Sequence, residues 1–301
     1  MNKRFLIRNL GVYYMLLASF YFALTGAFAK ALGGGMSSVE ISFFRNVVGL
    51  FIILWAIFKY GHNSKGGALF LLFMRGFVGI IAMMAFFYNI ANMGLAEAFT
   101  FAKTSAMFLG LFGAIFLKEK LGFWAWFGIL IGFLGIVFIM QPNLGFTKNH
   151  FMGLLNGFLA AVAYMSVHEL RKAYDTKIIV LSFMLSGTLV PLFCMVASEF
   201  FTVPIYLDFL FAKFIMPTPK MWIFIILMGV FGLLFQTYMT KAYAASRHAG
   251  TVAAVAYSDI IFTLIIGIIM GDSLPNLMAG FGIILVIVSG VIVAMQNKGK
   301  K

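Results

Sequence analysis

Ten apolar runs, each about the 20 residues that a helix needs to cross a bilayer, recur along the whole of this 301-residue chain. Their approximate limits are 10–32, 39–58, 68–92, 96–117, 122–141, 151–170, 177–200, 220–242, 249–271 and 276–296. A chain with 63% hydrophobic and 10% charged residues cannot hide so much apolar surface in a water-soluble core. The runs are continuous and do not alternate with period two, which argues against an outer-membrane barrel. The expected fold is therefore all-α and integral to a membrane, with ten transmembrane helices.

The first run follows the basic stretch MNKRFLIR, and AFA near residue 28 has the look of a cleavage site. Its apolar length exceeds the roughly 7–15 residues of a signal core, so it is expected to stay as the first helix. The lone Cys194 allows no internal disulfide and fits no metal or redox spacing.

The net charge of +13 becomes a topology signal once the helices are threaded. With the N-terminus inside, fifteen Lys and Arg fall in cytoplasmic segments, against Lys148, Lys213 and Lys220 outside. This bias predicts a multi-pass protein of the cytoplasmic membrane with both termini cytoplasmic, and leaves no role for nucleic acid. Lys30, Arg45, Arg75 and Lys103 lie outside that tally, within or near helix ends, where a charge needs a reason.

The chain also repeats itself. Residues 89–121 lie over 242–274 without a gap: Ala91, Ala96, Ser105, Leu111, Ile115 and Leu121 meet identical residues, and Glu119 meets Asp272. The helices that follow match in style, and LLASFYFALTGAFAKAL weakly matches FLAAVAYMSVHELRKAY, with Lys30 over Lys172. Two five-helix halves, 1–147 and 148–301, follow from this alignment. Five is odd, so the halves enter the membrane in opposite senses and make an inverted-topology repeat, the layout of secondary transporters.

The pattern AEAFTFAKTSAMFLGLFGAIFLKEKL with its glycine-rich successor, FFRN at 43–46, and AYSDIIFTLIIGIIMGDSLP together resemble the EamA type of drug/metabolite transporter over essentially the whole chain. The resemblance implies ten helices, cytoplasmic termini, no ATP-hydrolysing domain, and a central cavity lined by helices one to four and six to nine. It also implies peripheral helices five and ten, whose Gly128, Gly132, Gly135, Gly280, Gly282 and Gly290 suit close packing. Ala106 stands where the family commonly has a helix-breaking proline, which puts a proline-induced break in question. Lys103 replaces a common aromatic residue and Asp259 a common neutral polar one.

Lys103 lies roughly 10 Å inside helix four. It either snorkels to the interface or faces a watery cavity and binds an anion. Asp259, near the bilayer centre, cannot snorkel and must be paired, protonated or hydrated. In the repeat it falls one turn from the position of Lys103, which makes the two candidate partners across the cavity. Asp259 is also the candidate for proton coupling, since a desolvated carboxylate can carry a proton through an exchange cycle.

Arg45 is five residues from Glu40, off the favourable helical spacing, and its guanidinium suits a carboxylate or phosphate. Arg75, in FMRGF, is a binding candidate beside a glycine. Tyr257 and Ser258, with Asn89 and Asn92, can hydrogen-bond a substrate or neighbouring helices. Glu97 and Lys30 read as residues of helix ends, and HELRK at 168–172 lacks the second histidine of a zinc motif.

The candidate substrate-binding set is thus Lys103, Arg45, Arg75, Asp259, Tyr257 and Ser258, with no metal, cofactor or catalytic residue. No P-loop, GxSxG motif or Cys/His cluster is present, so an enzyme is not expected. The leading expectation is a secondary active transporter of a small polar metabolite, an amino acid or related carboxylate-bearing compound, working by alternating access with proton coupling or exchange. An exporter of amphipathic drugs or toxic metabolites is the alternative, and a non-transporting membrane scaffold or receptor the alternative of another class. Expected partners are the substrate and the lipid bilayer, with a homodimer a candidate assembly.

Overall fold

The computed structural model describes residues 10–116, 122–140, 145–245 and 255–296. The basic residues counted within 1–9, 117–121, 246–254 and 297–301, and the repeat positions Glu119 and Leu121, lie outside these described residues. All-α architecture is observed, with ten helices and no strand among the described residues. They are α1 (Leu10–Leu32), α2 (Ser38–Tyr60), α3 (Leu69–Asn92), α4 in two segments (Leu95–Ala102 and Thr104–Phe116), α5 (Phe123–Met140), α6 (Lys148–Leu170), α7 (Thr176–Phe200), α8 (Pro219–Ala245), α9 (Ser258–Ile269) and α10 (Leu277–Gln296).

Six of these, α1, α2, α3, α6, α7 and α8, are long and apolar enough to cross a membrane, and α5, α9 and α10 contain shorter apolar helices. Large apolar side chains such as Phe51, Phe58, Phe193 and Leu277 remain exposed on the bundle's outside. In water such a surface would aggregate; it suits acyl chains instead. The end of the bundle where α1 begins is called proximal below, and the end where α1 finishes distal.

Helix packing follows a regular scheme. α1 packs along α8 and α3 along α6; α2 lies on α7 and α5 on α10; α9 lies on α1, and α6 on α4. Small residues set the close crossings. At the α5–α10 contact, a Cβ added to Gly135 would stand 2.8 Å from the Gly282 carbonyl oxygen, and one on Gly282 would stand 2.5 Å from that of Gly135. Gly132 is pressed by Met107 and Ser289, and Gly290 by the Tyr257 ring, while Gly280 faces open space. Close packing thus accounts for Gly132, Gly135, Gly282 and Gly290 and does not explain Gly280.

The interruption of α4 at Lys103 exists without a proline. Thr104 Oγ1 donates to the Phe101 carbonyl (2.7 Å) and Ser105 Oγ to that of Ala102 (2.7 Å), so hydroxyls serve carbonyls at the break. Thr104 Oγ1 seats directly against Gly157 of α6, where any Cβ would collide with it. Lys103 itself has φ −72° and ψ −13°. Tyr257, just before α9, has φ −70° and ψ −12°. After Lys103 the Ala106 N–H reaches the Lys103 carbonyl at 3.0 Å, and after Tyr257 the Ile260 N–H reaches the Tyr257 carbonyl at 3.1 Å.

Candidate functional site

The two helix interruptions bring Lys103 and Asp259 together. Lys103 is the C-cap of the first α4 segment, and Asp259 lies in the first turn of α9. Each charge therefore sits at the helix end whose dipole favours it, a cation at carbonyls and a carboxylate at N–H groups. Lys103 Nζ forms an ion pair with Asp259 Oδ2, with the two side chains 14% and 2% exposed. Asp259 Oδ1 is buried without a hydrogen-bond partner, as is Ser258 Oγ beside it.

Aromatic rings enclose the pair. Lys103 Nζ stands 6.0 Å from the Phe22 ring centroid and 5.8 Å from that of Tyr257. Phe22 in turn stacks on Phe235 and Phe86 and meets Phe99. Tyr257 is buried and packs against Gly290 of α10. It thus bounds the pair with its ring face.

Arg45 and Arg75 form a second group, separate from that ion pair. Both are buried, 3% and 4% exposed, and both guanidiniums face the Phe183 ring of α7, at 5.9 and 4.6 Å from its centroid. Arg45 donates to Asn46 Oδ1 (3.2 Å), Met83 Sδ (3.2 Å) and the Gly232 carbonyl (3.3 Å). Arg75 Nε has no hydrogen-bond partner. Glu40 does not neutralise Arg45. Its carboxylate accepts from Ser37 N–H (2.8 Å), Ser37 Oγ (2.9 Å) and Ile215 N–H (2.7 Å), capping α2 and tying it to the segment before α8.

Tyr164 of α6, which sequence reading passed over, lies within electrostatic reach of Arg45, Arg75 and Asp259. Phe183 was passed over too. Neither had a signal in the sequence, because an aromatic residue in an apolar run has no local mark of facing inward. Asn89 is buried with both amide atoms unpartnered, while Asn92 bonds within its own helix, to the Tyr88 carbonyl at 2.8 Å.

Lys30 is more than a helix-end residue. It forms an ion pair with Asp272 at the distal end. Its Nζ also donates to the Met93 carbonyl (3.2 Å), and Asp272 Oδ2 accepts from the Leu95 N–H (2.9 Å). The pair thereby closes the C-terminus of α3 and the N-terminus of α4 at once. A readable hint existed in the acidic turn GDSLP, where Asp272 meets Glu119 in the repeat. Among the described residues no group of His, Cys, Asp and Glu could hold a metal ion. The side chain of His168 lies outside what is described.

A bundle of apolar helices with a buried ion pair at a helix break defines the class: a multi-pass helical membrane protein built around a charged interior. The EamA-like transporter family model matches residues 9–141. An uncharacterized transporter of Helicobacter pylori (strain J99) is 32% identical over 291 residues, covering 95% of this chain and 94% of that protein. The pseudopaline exporter CntI of Pseudomonas aeruginosa (strain UCBPP-PA14) is 28% identical over 293 residues, covering 96% and 97%. A solved crystal structure superposes with a TM-score of 0.62 at 16% identity, covering 97% of this chain and all of that one, which speaks for the fold. The chain belongs to the EamA-like transporter family.

Proposed function

We propose that this chain is a secondary carrier that moves a small polar metabolite, an amino acid or related carboxylate-bearing compound, across the cytoplasmic membrane by alternating access. In this reading all ten helices cross the bilayer, both termini are cytoplasmic, and residues 1–147 and 148–301 form two halves of inverted topology. The packing scheme supports that symmetry. Exchanging each helix with the one five places on turns α1–α8 into α6–α3 and α1–α9 into α6–α4, and leaves α2–α7 and α5–α10 unchanged.

The observation that carries the reading is the buried Lys103–Asp259 ion pair. A buried pair contributes little net stability, so stability alone gives a weak reason for burying two charges in a membrane interior. A carrier has a further reason: the pair opens to admit substrate, or Asp259 takes a proton while Lys103 is released to an anionic group. Tyr257 bounds the site and Ser258 offers its hydroxyl. Export by the P. aeruginosa relative and the rings of Phe22, Phe86, Phe99 and Phe235 favour a second reading, an exporter of amphipathic compounds.

The test is uptake and counterflow of a labelled metabolite panel in proteoliposomes, with and without a proton gradient. Asp259→Asn is expected to abolish the response to the gradient, and Lys103→Met to alter the preference for anionic substrates. Unchanged transport and proton dependence in Asp259→Asn would remove the carboxylate from the mechanism.

A further inference from the structure

Among the described residues the buried charges do not balance. Arg45, Arg75 and Lys103 are cations in the interior, and Asp259 answers only Lys103. Glu40, the other fully buried carboxylate, is spent on capping and on Ile215. Among the described residues, neither Arg45 nor Arg75 has a carboxylate within ion-pair distance. Arg45 is close enough to Arg75 for like-charge repulsion.

What holds these guanidiniums in place leaves their charge in place too. Both rest on Phe183, whose ring attracts cations without neutralising them. Glycines give them room. A Cβ on Gly232 would stand 2.6 Å from Arg45 Nε, and one on Gly79 2.6 Å from Arg75 Nη1. Arg45's acceptors are an amide, a thioether and a carbonyl, all uncharged. Guanidinium forks satisfied so weakly are suited to receive carboxylates from elsewhere. At the other end, Asp259 Oδ1 is 2%-exposed carboxylate with no donor, a place for an ammonium. Tyr164 lies within electrostatic reach of both ends.

Resting on the carrier reading above, we infer that the transported compound is an amino dicarboxylate. Its two acidic groups are received by Arg45 and Arg75 on the Phe183 ring, and its amine is received by Asp259 Oδ1 while Oδ2 keeps Lys103. A single carboxylate leaves one buried guanidinium unanswered. A compound without an amine leaves Asp259 with Lys103 alone.

The test is thermal protection of the purified chain in detergent by L-glutamate, iminodiacetate, L-alanine, succinate and inorganic phosphate. Glutamate or iminodiacetate is expected to protect at concentrations at least about tenfold below those needed for alanine or succinate. Arg75→Gln should erase the advantage over alanine, and Asp259→Asn the advantage over succinate. Arg75→Lys, which keeps the charge and loses the fork, should retain part of the preference and guards against misfolding of the glutamine variant. Equal protection by alanine and glutamate, unmoved in Arg75→Gln, overturns the dicarboxylate and leaves the carboxylate carrier standing. Protection by phosphate alone overturns it in favour of a phosphate dianion. Protection by none of the five removes both readings.

Discussion

Lys103 and Asp259 hold each other in place more than they stabilise the fold. Removing one partner strands the other charge in a buried site, which costs about 3–5 kcal/mol, whereas removing both leaves an uncharged contact. Thermal unfolding of the purified chain should therefore show Lys103→Met and Asp259→Asn each clearly less stable than the parent, and the double variant recovering most of the loss. A double variant no more stable than the worse single one would mean that the pair is not the reason for the cost. The pair was legible in the sequence because two features agreed: charges inside apolar runs, and a repeat that set them one helical turn apart. Phe183 and Tyr164 were not legible, because what distinguishes them from the chain's other aromatics is the position of Arg45, Arg75 and Asp259 on other helices.

Apart from the start of α9, expected at 249 and described from Ser258 after residues outside the description, helix positions were readable to within a few residues, because the length of an apolar run is a local property, imposed by the thickness of the bilayer. Interruptions within a helix are different. Ala106 gave no reason to expect a break in α4, yet the break is present because two hydroxyls turn back on carbonyls and Gly157 of α6 makes room for one of them. That pairing of Thr104 with Gly157, 53 positions apart, is a tertiary fact. It predicts that Gly157→Ala destabilises the chain by about 1–3 kcal/mol through overpacking. Thr104→Ala placed in the same chain should restore much of the loss by vacating the space. Equal instability of Gly157→Ala with and without Thr104→Ala, measured by thermal unfolding, would show that α4 does not lean on α6 at this point. The same reasoning makes Gly135 and Gly282 intolerant of side chains, since each would press on the other's carbonyl.

At the scale of the whole molecule, the two ends of the bundle are tied by different means among the described residues. The proximal tie runs between loops: Lys65 N–H to the Ala173 carbonyl (2.8 Å) and Asp175 N–H to Ser64 Oγ (3.0 Å). One distal tie is ionic and joins α1 to the turn after α9 while capping α3 and α4, through Lys30 and Asp272; another is the ion pair of Lys148 at the start of α6 with Asp208 before α8. Beneath the first, Glu97, Thr263, Gly267 and Asp272 line a cavity of about 60 Å³ between α4 and α9, too small for a metabolite. A carrier that alternates has to open this end, so the Lys30–Asp272 pair is the contact whose loss should shift the population toward a distally open form. Cys194 is the single cysteine in the sequence, so a Cys194→Ala background leaves a cysteine introduced at Thr263 as the sole target for a membrane-impermeant maleimide added from the distal side. Thr263 is 0% exposed, and labelling should be slow. Lys30→Met or Asp272→Asn should speed it severalfold, and the charge-exchanged Lys30→Asp with Asp272→Lys should slow it again by re-forming the pair in reverse. Labelling that stays slow in both single variants would show that the distal end is held shut by helix packing and not by these two charges.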